Sequence, residues 1–195
     1  MAKSNPLIPV DSVKVTIVVD NYIDVFLPGG GPVTRMGLKA EEPLLAEHGL
    51  SILLEVTRGH DKRLVLIDAA YSSVALLHNM RVLGYDPLQV DTVVLSHGHP
   101  DHYGGLVGFL EQRKVPVNVV LHPNALLSRY AVSPGGDLNG PYLLEKEKVE
   151  RNGGRLILCE NNMMVTDGVL VTGEVSRGCS PEWPGKAERK ILKNG

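Results

Sequence analysis

Four side chains able to ligate a metal ion fall within six consecutive positions: His97, His99, Asp101 and His102, in the run Ser96-His97-Gly98-His99-Pro100-Asp101-His102. Imidazole nitrogen and carboxylate oxygen bind zinc and similar divalent ions at about 2 Å, and a catalytic ion keeps one coordination position open for water. Side chains alternate along an extended backbone, so His97 and His99 point to the same side and can reach one ion. Asp101 and His102 can serve a second ion if the chain turns after Pro100. Pro100 also confines His99 to an extended backbone, and Gly104-Gly105 lets the chain pass close to the ions before a helix begins. A lone histidine is far more often a surface or core imidazole than a ligand; three of them with an aspartate at this spacing reverse that weighting.

The elements around this run give it a platform. Thr92 to Leu95 is a short, wholly apolar strand that delivers the histidine run at its exit, and Leu106, Phe109 and Leu110 mark the buried face of a helix beginning near Gly104. Upstream, Val13, Val15, Ile17 and Val19 alternate as in a half-buried strand. Ser51 to Thr57 and Leu64 to Ile67 read as an antiparallel pair around the turn Arg58-Gly59-His60-Asp61-Lys62. Ser72 or Ser73 caps a helix whose Val74, Leu77, Met80 and Leu83 form the expected inward stripe, stopped by Gly84. Val117 to Leu121 is a further strand, followed by an expected short helix from Pro123 to about Tyr130. A charged helix over Glu145 to Arg151 and strands at Leu156 to Leu158 and Val169 to Val171 complete an α/β rhythm. From Glu174 onward the pattern dissolves, and the 195 residues are expected to form a single domain.

Composition excludes several classes. The formal net charge is -2, without the basic excess that nucleic acid or an anionic membrane selects. No apolar run approaches the roughly 20 residues that span a bilayer, and the N-terminus lacks a secretory pattern. Cys159 and Cys179, the only two cysteines, have neither the number nor the spacing of a disulfide framework, which favours reduced thiols and the cytoplasm. The expected partner is a small-molecule substrate, with no nucleic acid and no membrane. The Gly29-Gly30-Gly31 loop could line a substrate cleft or be a flexible turn; no Gly-Lys-Ser or Gly-Lys-Thr follows to make it a P-loop. His122, just beyond a buried strand, reads as a non-ligand. His48, His60 and His78 read as surface residues, and the run Glu145-Lys146-Glu147-Lys148 as a solvated helix face.

The run His97-x-His99-x-Asp101-His102 matches, residue for residue, the signature His-x-His-x-Asp-His of the metallo-β-lactamase-fold hydrolases, and the chain resembles that superfamily. Val18-Val19-Asp20-Asn21, Gly49-Leu50-Ser51, Leu95 to His99 and Thr172-Gly173-Glu174-Val175 further resemble its branch of dihydropterin-linked ribofuranosyl-aminobenzene phosphate synthases. The resemblance implies the N-terminal portion of an αββα sandwich. It implies two divalent metal ions, zinc before manganese or iron, with His97 and His99 on one and Asp101 and His102 on the other. A metal-bound hydroxide, oriented by Asp101, would attack an ester, lactone or phosphate-containing small molecule, pterin-related if the branch holds. Asp68, at the end of its strand, corresponds to the family aspartate that supports the metal loop from behind, although Ala69-Ala70 stand where the family commonly has Thr-Gly.

The family's later ligands, a His, a bridging Asp and a final His, are not found after His102, and Gly178-Cys179-Ser180-Pro181 lacks the His of the family's Gly-Cys-x-His phrase. The domain is therefore expected to be C-terminally incomplete, with a homo-oligomer or a separate C-terminal half as partner. Two other readings stay open: a non-catalytic metal-binding half-domain that needs a partner chain, and a diiron electron-transfer module.

Overall fold

A computed structural model of the protein describes residues 7–37 and 41–175. Its centre is a six-stranded sheet in the order β1-β2-β3-β4-β5-β8, made of β1 (Ser12–Val19), β2 (Ser51–Arg58), β3 (Asp61–Ile67), β4 (Thr92–Val94), β5 (Val117–Leu121) and β8 (Gly154–Leu158). The first three strands pair antiparallel, and β3, β4, β5 and β8 run parallel. The β2–β3 hairpin closes tightly through Gly59-His60, where Gly59 takes φ 58°. That left-handed conformation suits a two-residue hairpin turn and is cheapest for glycine. The parallel strands need crossovers. These are α1 (Ser73–Val82), then α2 (Pro100–Tyr103) with α3 (Leu106–Arg113), then α4 (Lys146–Arg151).

The helices cover one face of the sheet, where Leu53, Leu66, Val93, Val119 and Leu121 meet Leu76, Met80, Phe109 and Leu110 in the main core. Full burial of each such side chain contributes about 1.5–3 kcal/mol relative to exposure. On the other face Val65, Val94, Val120 and Cys159 form a smaller cluster under the hairpin of β9 (Met163–Thr166) and β10 (Val169–Val171). Val13, Val15 and Ile17 of the edge strand β1 remain exposed. Among the described residues no helix is long and apolar enough to cross a membrane.

Two expectations are corrected. The helix expected from Pro123 to Tyr130 is a single 3₁₀ turn, Pro123–Leu126, after which Arg129–Val132 forms β6, paired with β7 (Leu138–Tyr142). The Arg129 guanidinium donates to the carbonyls of Asn124, Ala125 and Leu127, oxygens that a continuing helix would need for itself. Helix α1 begins where expected, with Ser72 Oγ accepting from Ala75 N, but it is rotated: Ala75, Leu76, Asn79 and Met80 are buried and Val74 is exposed. Asn79 sets that rotation by donating to Val18 O and Leu45 O and accepting from Leu45 N, a set satisfied only with the amide turned inward. Gly104-Gly105 packs closely on neighbouring backbone. A Cβ at Gly104 would lie 2.1 Å from Tyr71 O, and one at Gly105 would lie 2.3 Å from Ala69 O.

The Gly29–Gly31 loop closes on itself through reciprocal Gly30–Val33 backbone bonds of 3.0 Å, which is the turn reading of that segment. Cys159 is a buried free thiol, while Cys179 lies outside the described residues.

Candidate metal centre

Because β3, β4 and β5 are parallel and in register, their C-terminal ends lie side by side, and Asp68, Ser96 and His122 leave the sheet at one rim. The β4 exit carries the histidine run. His99 is extended at φ -97° and ψ 147°, and α2 starts at Pro100, so the chain turns where Asp101 and His102 need it to. The His97 and His99 ring centroids are 4.4 Å apart and those of His97 and His102 are 4.2 Å apart. His97, His99, Asp101 and His102 thus gather into one cluster, with Asp68 directly behind it.

Asp68 is buried, in a turn with φ 57°, and its carboxylate orders the cluster. Oδ1 accepts from Ser96 N at 2.7 Å; Oδ2 accepts from Ser96 Oγ and from His102 Nδ1, each at 2.7 Å. An ionised carboxylate can only accept, so His102 carries its proton on Nδ1 and keeps a lone pair on Nε2 when neutral. The single hydroxyl proton of Ser96 is committed to Asp68, so Ser96 Oγ accepts from His97 Nδ1 at 2.9 Å. The His97 lone pair is then on Nε2, where it takes the Nδ1–H of His99 at 2.7 Å. One buried carboxylate therefore sets the tautomers of His97, His102 and His99. Burial, and then the neighbouring His102, hold the His97 pKa below its ordinary value. A neutral imidazole is the form that ligates a metal.

Asp101 Oδ2 lies 3.5 Å from His102 Nε2 and 3.4 Å from His48 Nε2. His48 is the surface residue the sequence suggested, yet it stands at the site. Leu50 N donates to Asp101 O, and Glu47 accepts from Tyr71 N, Ser72 N and Ser72 Oγ, fastening the 47–50 loop against both the histidine run and the start of α1. Gly49 permits this approach with φ 140°, since a Cβ there would sit 2.4 Å from Asp101 O.

His122 is at the same rim and its Nδ1 accepts from Asn124 N at 3.1 Å. The neutral ring therefore has its proton on Nε2, a donor with no lone pair to give an ion, in keeping with a non-ligand. That Nε2 is buried without a protein partner.

The donor set suits a divalent ion in kind, with imidazoles held by hydrogen bonds beside a carboxylate. Among the described residues, however, no three His, Cys, Asp or Glu side chains are disposed around one point to hold an ion. The His97–His99 contact accounts for part of this. Two nitrogens on one tetrahedral ion stand roughly 3.3 Å apart, and here they are 2.7 Å apart across a hydrogen bond. Binding one ion through both of these nitrogens would also require the His99 Nδ1 hydrogen to leave that atom, since it makes the bond between them.

The chain belongs to the metallo-beta-lactamase superfamily, whose sequence model matches residues 45–157, more than half of the chain and all of the cluster just described. It is similar to the 7,8-dihydropterin-6-methyl-4-(beta-D-ribofuranosyl)-aminobenzene-5'-phosphate synthase of Methanocaldococcus jannaschii, with 29% identity over 170 residues, covering 85% of this chain and 52% of that protein. An uncharacterized protein of the same organism is 31% identical over 141 residues, covering 71% of this chain and 50% of its own length. The chain thus spans about half the length of the curated relatives it matches. Among solved structures, a Cronobacter sakazakii metallo-beta-lactamase aligns over 66% of this chain and 47% of its own, with 18% identity and a TM-score of 0.43. A quorum-quenching N-acyl homoserine lactone lactonase aligns over 62% of this chain and 48% of its own, with 17% identity and a TM-score of 0.41.

Proposed function

We propose that this chain carries the His97–His102 side of a two-metal hydrolase centre acting on an ester, lactone or phosphate-containing small molecule. The observation that carries the reading is the Asp68–Ser96–His97–His99 hydrogen-bond chain together with the Asp68–His102 bond, which orders three imidazoles in one cluster. His97 and His99 would hold one ion, and Asp101 and His102 the other; zinc suits this set best, with manganese or iron also compatible. When bound, such ions supply Lewis acidity and activate water at neutral pH.

The chain's own residues do the rest. Asp68 keeps the His102 and His97 rings from turning and holds their protons away from the ions. Asp101, with Oδ2 between His48 and His102, orients the attacking water and receives its proton. Four donors do not fill the shells of two ions, so the reading includes further ligands from outside this set, supplied by a C-terminal half or a second copy. The dihydropterin-linked name of the Methanocaldococcus jannaschii relative supports a pterin-related, phosphorylated substrate as the finer form of the proposal.

Metal content tests it. Zinc, manganese and iron per chain, measured after purification, should fall by most of their value in His97→Ala combined with His99→Ala. Equal content in both proteins would end the reading.

A further inference from the structure

The side chain that crowds the histidine run from behind is a cation. A Cβ placed on Gly98 would lie 2.4 Å from Arg129 Nη1 and 2.2 Å from Ala125 O, so the guanidinium sits directly against the backbone between His97 and His99. Arg129 is half-buried, and among the described residues it has no carboxylate partner. Both Nη1 hydrogens go to the carbonyls of Ala125 and Leu127, and one Nη2 hydrogen goes to Asn124 O. Of the five donors of a guanidinium, Nε–H and one Nη2–H remain. Nε–H is one of the two donors of the edge that grips a carboxylate or phosphate with parallel bonds. Nε is not sealed in protein, since His122 Nε2 is the one buried and unpartnered side-chain nitrogen or oxygen among the described residues.

We propose that Arg129 is an oxyanion-binding subsite beside the His97–His99 pair, taking a phosphate or carboxylate of the substrate through its Nε hydrogen and its remaining Nη2 hydrogen. Three carbonyl bonds fix the plane of the fork, so little rotamer freedom is lost when an anion docks. A half-buried cation without a carboxylate partner gains more from an arriving anion than a surface arginine does. The proposal rests on the reading of the histidine run as the reaction centre, because it gives that centre a grip on an anionic substrate.

The test uses the full chain, ¹⁵N-labelled and kept metal-free with a chelator, so that no ion can bind the anion in place of Arg129. Inorganic phosphate and acetate are titrated separately while the Arg129 Nε–H resonance is followed. The expected result is a saturable movement of that resonance, with the stronger-binding of the two anions showing whether the subsite prefers phosphate or carboxylate. Arg129→Gln should weaken anion binding at least tenfold, and Arg129→Lys by less. An Arg129 resonance that neither anion moves in the folded chain overturns the proposal, and so does wild-type anion affinity in folded Arg129→Gln. The wild-type resonance needs no variant, so a variant that fails to fold leaves the test intact. Metal content measured on the same protein without chelator separates the two ideas. Metal retained through His97 and His99 with an unmoved Arg129 removes the subsite alone, whereas a moved Arg129 without metal binding removes the hydrolase reading alone.

Discussion

Asp68 Oδ2 accepts from His102 Nδ1 at 2.7 Å, although 34 positions separate the two residues in the chain. The bond joins the end of β3 to the short helix α2 across the intervening β4, and the backbone repeats the link where Ala69 N donates to His102 O at 2.7 Å.

Replacing Asp68 by Ala removes the acceptor of both imidazole-ordering bonds but no direct ligand. Metal affinity should fall by about 10- to 100-fold, the usual cost of losing a carboxylate behind a ligand histidine. A calorimetric zinc titration of folded Asp68→Ala checks this, and an unchanged affinity would leave Asp68 as a turn residue only. Asp68→Asn should lie between the two, since the amide oxygen can still accept one of the bonds.

Gly49→Ala should destabilise the fold by about 2 kcal/mol or more, because a left-handed φ and a blocked Cβ act together. The Cβ would meet Asp101 O at 2.4 Å with φ at 140°. Denaturant unfolding gives the loss. Since Leu50 N donates to Asp101 O, the variant should also weaken metal binding, whereas His48→Ala should change affinity by less than tenfold. Its imidazole is mostly exposed and faces Asp101 at 3.4 Å, a solvent-screened contact of the kind worth at most about 1 kcal/mol.

The metal-free chain should lose stability as the pH falls below about 6.5. Burial holds the folded-state pKa of His97 below the ordinary 6.5, so the unfolded chain binds a proton that the folded chain refuses. The contribution is fully present above the unfolded value and is lost as the pH drops through it. Unfolding midpoints between pH 5 and 8 should therefore slope less in His97→Gln than in wild type; parallel slopes would remove His97 from the account.

Two behaviours should follow from the uncovered part of the sheet and the short ligand set. Val13, Val15 and Ile17 are exposed along an edge strand, a pattern that favours association. Sedimentation should report concentration-dependent self-association that Val15→Lys with Ile17→Lys reduces. Hydrolysis of model phosphodiesters or lactones by the chain alone should be weak, and should rise when the C-terminal portion of a full-length relative is added, with Asp101→Asn as the inactive control. Full metal-dependent turnover by a monomeric chain would contradict both.

The histidine cluster was legible because its spacing is local: His97, His99, Asp101 and His102 are neighbours in sequence before they are neighbours in space. The strands were legible for a similar reason, their buried faces being written in alternation or in short apolar runs such as Val93-Val94-Leu95. His48 was not, because the bonds that bring it to Asp101 are made by Glu47 and Leu50 to residues more than 20 positions away. Arg129 was hidden by the helix expected over it. The cue against that helix was present in the turn-forming Ser133-Pro134-Gly135-Gly136-Asp137, which closes the β6–β7 hairpin. The face of α1 was misjudged because spacing weighs apolar residues alone, and the side chain that orients this helix is the amide of Asn79.

The parallel register of β3, β4 and β5 also divides the molecule's tolerance for change. Every contributor to the cluster leaves one rim of the sheet, and the Gly59-His60 turn lies at the other end of β3, whose seven residues separate it from Asp68. Eight steps at about 3.3 Å per residue make roughly 26 Å. A fluorophore or affinity tag spliced in at Gly59-His60 would report on the protein without touching its chemistry, whereas an insertion of equal size between Ser96 and Pro100 would dismantle the cluster outright.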